Sequence, residues 1–214
     1  MPIWRLGRAW FAVTAAVAAS ALLVQLVLVL AGDDGGPVAR VVRFLSYFTI
    51  ESNILVAVVC ALLARDPSRD SSRLRVAHLD SVLCITVTGL VYVSVLRGTV
   101  ELEGLAIGTD LVFHYVVPVL ALVGWVQFGP HGRWSPATLR SALIFPVVFL
   151  LWTLVRGAVV GEYPYPFIDV AALGYARALL NAVAVTALFA VLIGLLLLAD
   201  RRLAGLREPA PELG

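Results

Sequence analysis

Long apolar runs separated by short polar stretches set the pattern of this chain. Six runs are long enough to cross about 30 Å of hydrocarbon at about 1.5 Å of rise per residue. They predict helices near residues 9–31, 43–64, 77–96, 110–128, 138–160 and 174–199. The connections are short, so neighbouring helices are expected to pack antiparallel, with no soluble domain between them. The predicted fold is all-α: a polytopic membrane protein, a six-helix transmembrane bundle over residues 1–206, then a disordered cytoplasmic tail over 207–214 containing Pro209 and Pro211. The run from Ala9 to Ala31 is longer than the core of a signal peptide, about 7 to 15 residues, and reads as a retained first helix.

Composition sharpens this. The chain is 61% hydrophobic and only 14% charged, where a soluble domain is about a quarter charged, and its mean hydropathy is +0.95. All sixteen basic residues are arginine, a bias that fits a GC-rich genome and a bacterial plasma membrane. Arg5, Arg8, Arg65, Arg69, Arg73, Arg75, Arg133, Arg140, Arg201, Arg202 and Arg207 fall on one side of the expected bundle. Asp33, Asp34, Glu101, Glu103, Asp110, Glu162 and Asp169 fall on the other. The positive-inside rule then places both termini in the cytoplasm. Because the arginines flank apolar spans, they form no solvated basic face for nucleic acid. Cys60 and Cys84 lie inside spans and offer neither a disulfide framework nor a metal-ligand spacing. With no P-loop, dinucleotide fingerprint, HExxH or CxxC, no metal or organic cofactor is expected, and no protein partner is indicated.

Polar residues inside the spans carry the functional signal, because such groups are costly in hydrocarbon and normally face other helices. The stretch Phe44 to Asn53 holds Ser46, Thr49, Glu51, Ser52 and Asn53. Helical spacing puts Thr49, Ser52 and Asn53 on one face and Glu51 elsewhere. Thr49 is expected about 9 Å and His114 about 6 Å below the same end of the bundle, so the two fall near one depth. Pro118, which lacks an N–H, frees the carbonyl of His114. Two spans end in Arg-Gly, at Arg97 and Arg156, which read either as snorkelling interfacial arginines or as a clamp for a carboxylate or phosphate. Asn181 also falls in the outer half, Gln25 reads as an interhelical hydrogen bond, and His78 and Asp80 lie within a turn of the cytoplasmic interface. The loop from Gly161 to Asp169 reads as an aromatic belt or as a lid over the outer side.

A hydroxyl beside an imidazole is the minimum for nucleophilic acyl transfer. Thr49 is the candidate nucleophile and His114 the candidate base, with Ser52, Asn53, Arg97, Arg156 and Asn181 as the binding set. Asn53 or Asn181 would donate to an oxyanion, and Asp110, four residues before His114, is placed to orient its ring. Thr49 is also read as a helix residue bonding back to its own i−4 carbonyl. A non-enzymatic role stays open, in which the cluster binds a lipid or passes a proton with Glu51 and Asp80 as carriers.

At Tyr-Phe-Thr-Ile-Glu-Ser-Asn (47–53), Leu-Arg-Gly (96–98), Phe-His-Tyr-Val-Val-Pro (113–118) and Tyr-Pro-Tyr-Pro-Phe-Ile-Asp (163–169), the chain resembles the bacterial six-span Pr-six-Pr membrane proteins. These are similar in turn to the androgen-induced protein and the androgen-dependent TFPI-regulating protein, which are integral-membrane threonine hydrolases. The resemblance covers nearly the whole chain. It implies hydrolysis of fatty acid esters of hydroxy fatty acids, with Thr49 and His114 at the matching catalytic positions and a membrane lipid or lipid-like molecule as substrate.

Overall fold

The computed structural model describes residues 2–206, and the tail expected over 207–214 lies outside them. Helix makes up 82% of the structure, and no strand occurs among the described residues. Six segments are long and apolar enough to cross a membrane. They are α1 (Ile3–Ala31), α3 (Phe48–Arg65), α4 (Ser72–Val91) with its extension to Leu96, α5 (Leu105–Leu111) running on into α6 (Val117–Phe128), α7 (Pro136–Ala142) with α8 (Ile144–Val160), and α9 (Val170–Gly205). Six apolar helices fit a multi-pass membrane protein.

The run expected at 43–64 is two helices. Gly35, at φ +70°, and Gly36 turn the chain, and Pro37 opens a short helix, α2 (Pro37–Leu45), at the position where its missing N–H costs nothing. Ser46 ends it. The Ser46 hydroxyl donates to Val42 O at 2.7 Å and accepts from Trp152 Nε1 at 3.2 Å, competing with continued helix. Tyr47 is extended (ψ 126°), and α3 starts afresh at Phe48. Val38, Val42 and Leu45 of α2 stay exposed while Arg40 and Arg43 turn inward to a cavity, the pattern of an interfacial amphipathic helix.

Small residues bring α1 onto α3: Thr14, Ala18 and Ala21 are buried, and close backbone approach replaces hydrophobic drive in such packing. Trp10 crosses to α6, donating to Leu120 O at 2.9 Å, and a Cβ on Gly124 would lie 2.9 Å from its ring. Gln25 accepts from Thr109 Oγ1 at 2.5 Å, the interhelical bond expected of it. The central element is α4, where Leu79, Leu83, Cys84 and Ile85 are fully enclosed. His78 and Asp80 do not reach out to an interface: both are buried. The fold continues past them to Ser71, which caps α4 by accepting from Leu74 N at 3.2 Å. Trp134 then covers His78, with ring centroids 5.8 Å apart.

The opposite end of the bundle is held by loops. Gly161, at φ +75°, closes α8, and Asp169 caps α9 by accepting from Ala171 N and Ala172 N at 2.9 and 3.1 Å. Between them Pro164 and Pro166 stiffen a loop whose Tyr165 is buried.

Candidate active site

Thr49 is the second residue of α3, not the seventh residue of a longer helix. No helical turn links it to Leu45, so the back-bond to an i−4 carbonyl has no geometry here. The first turn lies at the positive end of the helix dipole; Ile50 N–H and Glu51 N–H donate to Tyr47 O at 3.0 and 3.2 Å, while the N–H groups before them have no carbonyl of the helix to reach. One of them, Thr49 N–H, donates to Tyr165 Oη at 3.4 Å. Burial pushes the Tyr165 phenol up to about 12, so it keeps its proton.

His114 arrives from a widened turn. Residues Val112–Val116 form a π-turn directly before α6, which makes room for the Pro118 ring over the His114 carbonyl. A second π-turn, Tyr92–Leu96, ends α4. Such turns recur at functional sites because they re-aim side chains. Gly89 lets α4 lie against the first: a Cβ there would meet His114 O at 3.2 Å and Pro118 Cβ at 3.4 Å.

Together these elements bring Thr49 Oγ1 to 3.3 Å from His114 Nε2. The other ring nitrogen, Nδ1, lies 3.0 Å from Asp110 Oδ1 and 3.0 Å from the Asp110 carbonyl. Both acceptors favour a proton on Nδ1, which leaves Nε2 free to accept from Thr49. Tyr92 donates to Asp110 Oδ2 at 2.5 Å and stacks on His114, with centroids 3.8 Å apart.

Thr49, Asp110, His114, Tyr92 and Tyr165 line a cavity of about 460 Å³. Arg40 and Arg43 form part of its rim. Arg43 bonds Asp34, holding that carboxyl below the usual carboxylate range, and reaches Glu162 at 3.4 Å. Arg40 donates to Gly32 O through Nη1, while its Nε is buried without a partner.

The rest of the expected binding set lies elsewhere. Ser52 Oγ donates to Thr49 O at 3.1 Å and pairs with Thr88 Oγ1 at 2.9 Å. Asn53 Nδ2 donates to the same carbonyl at 2.7 Å. Helical side chains lean toward the N-terminus, so polar groups three and four residues on from Thr49 meet its carbonyl instead of the cavity. Asn53 therefore does not line the cavity. Neither does Asn181, which donates to Phe167 O at 2.7 Å and pins the loop. The expected arginine clamp is also absent from the cavity lining. Arg97 is exposed, and Arg156 is engaged with Glu162 through O at 3.1 Å and Oε2 at 3.4 Å. A shared level along the bundle left their direction around it undetermined.

Sequence reasoning missed Tyr92, Tyr165, Arg40 and Arg43. The arginines had a legible signal: Gly-Gly-Pro followed by Val-Ala-Arg-Val-Val-Arg is a helix start and an amphipathic turn pattern. Tyr92 had none, since its partnership with Asp110 is purely tertiary.

Among the described residues no group of three His, Cys, Asp or Glu side chains is arranged to hold a metal ion. No family model, curated protein or solved structure matches the chain.

Proposed function

We propose that this protein is a membrane-embedded hydrolase of lipid esters that works through a threonine nucleophile. The observation that carries the reading is the relay from Thr49 Oγ1 to His114 Nε2 at 3.3 Å and from His114 Nδ1 to Asp110 Oδ1 at 3.0 Å, beside one cavity.

The chemistry follows from the atoms. Thr49 Oγ1 attacks the ester carbonyl carbon as Nε2 takes its proton, and Asp110 stabilises the imidazolium and fixes the ring's tautomer. Charge builds on the carbonyl oxygen, where the Tyr165 hydroxyl, held at Thr49 by the bond from Thr49 N–H, supplies a donor. Collapse of the tetrahedral intermediate breaks the bond to the alcohol oxygen, which leaves with the proton from Nε2. Water, deprotonated by the same nitrogen, then attacks the acyl-Thr49 ester; the bond to Thr49 Oγ1 breaks, that oxygen takes the proton back from Nε2, and the fatty acid is released.

In this reading the substrate is a membrane lipid or lipid-like ester that carries an anionic group, as a fatty acid ester of a hydroxy fatty acid does. The rim arginines would hold its carboxylate, Arg40 through its unpartnered Nε and Arg43 by exchanging Asp34 or Glu162 for the substrate, the role expected of Arg97 and Arg156. With the termini in the cytoplasm of a bacterial cell, the cavity would open at the outer leaflet of the plasma membrane. Against the proton-passing alternative, neither of its carriers, Glu51 and Asp80, lines this cavity.

The test is hydrolysis of long-chain esters by purified protein in proteoliposomes. Wild type should turn over, and Thr49→Ala and His114→Ala should not, with all three eluting as the same species. Equal turnover by Thr49→Ala would reject the threonine mechanism.

A further inference from the structure

A second cavity, of about 140 Å³, adjoins the first. Thr49, Leu96 and Tyr165 line both, so the proposed nucleophile stands in the wall between two chambers, of which the first carries His114, Asp110 and the arginines and the second almost no polar group. Besides Thr49 and Tyr165, the hydroxyl residues lining the second cavity among the described residues are Thr88 and Thr186. Thr88 Oγ1 is paired with Ser52 Oγ, and Thr186 Oγ1 donates to Ala182 O at 2.8 Å. Their hydroxyls are satisfied, and the other wall residues, among them Val147, Leu150, Val185 and Phe189, are apolar.

Its shape is a slot between α8 and α9. Along α9 the wall runs from Ala182 to Phe189, and along α8 from Pro146 to Leu150. The α9 wall alone spans two helical turns, about 10 Å. The slot reaches the outside of the bundle between the helices: Leu143 and Val147, in its wall, are 42% and 53% exposed. That surface faces hydrocarbon in a membrane, so an opening there admits alkyl chains and not water-soluble molecules.

We infer that the slot between α8 and α9 binds the acyl chain of the ester, and that it fixes which half of the substrate becomes the acyl-enzyme. This rests on the hydrolase reading above. The direction comes from His114. Its Nε2 must hand a proton to the departing alcohol oxygen, and His114 lines the larger cavity and not the slot. The alcohol half therefore leaves into the larger cavity. The acyl chain, on the other side of the carbonyl carbon, extends into the slot. Deacylation then releases the fatty acid toward the bilayer between α8 and α9.

Filling the slot should change chain-length preference. The experiment compares p-nitrophenyl palmitate with p-nitrophenyl butyrate for wild type, Ala182→Phe and Val147→Trp. Ala182 is buried in the wall, whereas Val147 sits at the exposed mouth, so the second variant tests the slot without burdening the core. In each variant the palmitate-to-butyrate ratio of kcat/KM should fall about tenfold or more. An unchanged ratio in either folded variant would overturn the slot while leaving the hydrolase intact. Failure of wild type to hydrolyse either ester would instead remove the hydrolase reading, and the slot's role with it.

Discussion

Tyr92 lies flat on His114, with ring centroids 3.8 Å apart and planes 12° from parallel, while its hydroxyl holds Asp110 Oδ2 at 2.5 Å. One residue thus restrains both the imidazole and the carboxylate that orients it. Stacking of this kind contributes about 0.5 to 1.5 kcal/mol beyond area burial. The two π-turns make it possible, since Tyr92 opens one and His114 sits in the middle of the other.

Asp110→Asn tests the relay. An amide cannot stabilise the imidazolium and offers its NH2 as readily as its oxygen to Nδ1, so kcat should fall about a hundredfold or more with KM little changed. Tyr92→Phe keeps the stack and removes one hydrogen bond, about 1 kcal/mol, so its loss in kcat should be well under that of Asp110→Asn. Steady-state kinetics on one ester decides both, and equal effects would contradict the division of roles.

Tyr165→Phe isolates the oxyanion donor. The ring would still stack on Phe167 at 5.4 Å and meet Tyr47 edge-on at 5.9 Å, so thermal stability should hold. Loss of the hydroxyl should lower kcat by about a hundredfold. A variant that keeps full kcat would remove Tyr165 from the oxyanion role.

Gly89→Ala probes how α4 seats the site. Its Cβ would crowd His114 O and the Pro118 ring, and overpacking of this sort costs about 1 to 3 kcal/mol. A lower Tm together with lower kcat is expected, measured by thermal melting in detergent and by ester hydrolysis. A more stable or fully active variant would mean that the two helices give way easily.

Arg40→Ala and Arg43→Ala address the anionic group. Each should raise KM for a carboxylate-bearing ester by about tenfold, or about 1.4 kcal/mol, and leave KM for its methyl ester nearly unchanged. Arg97→Ala should alter neither. Equal rises on both esters would remove carboxylate recognition from the rim.

The six spans were legible because membrane helices announce themselves by length and hydropathy alone. The meeting of Thr49 and His114 was legible as a coincidence of depth, although both depths differ from those expected. Thr49 sits one residue into α3, not six into a longer helix, and His114 lies nine residues beyond Leu105, not four beyond Asp110. Both helices start at other residues than their hydropathy predicts, Phe48 and Leu105. Asp110 was legible too, as a carboxylate one turn before a histidine. What stayed hidden depends on direction around a helix. Ser52 and Asn53 share Thr49's face yet lean back to its carbonyl, and Arg156 turns to Glu162. Tyr165 comes from a loop more than a hundred residues away in sequence, and no local pattern foretells that contact.

The most direct measurement is peptide mapping of purified protein after reaction with a fluorophosphonate. A covalent adduct on Thr49, absent from Thr49→Ala and from His114→Ala, is the expected result, because phosphonylation needs the same activated hydroxyl as acylation. Folded wild-type protein that carries no adduct while hydrolysing lipid esters, or an adduct on another residue whose loss abolishes turnover, would contradict Thr49 as the nucleophile.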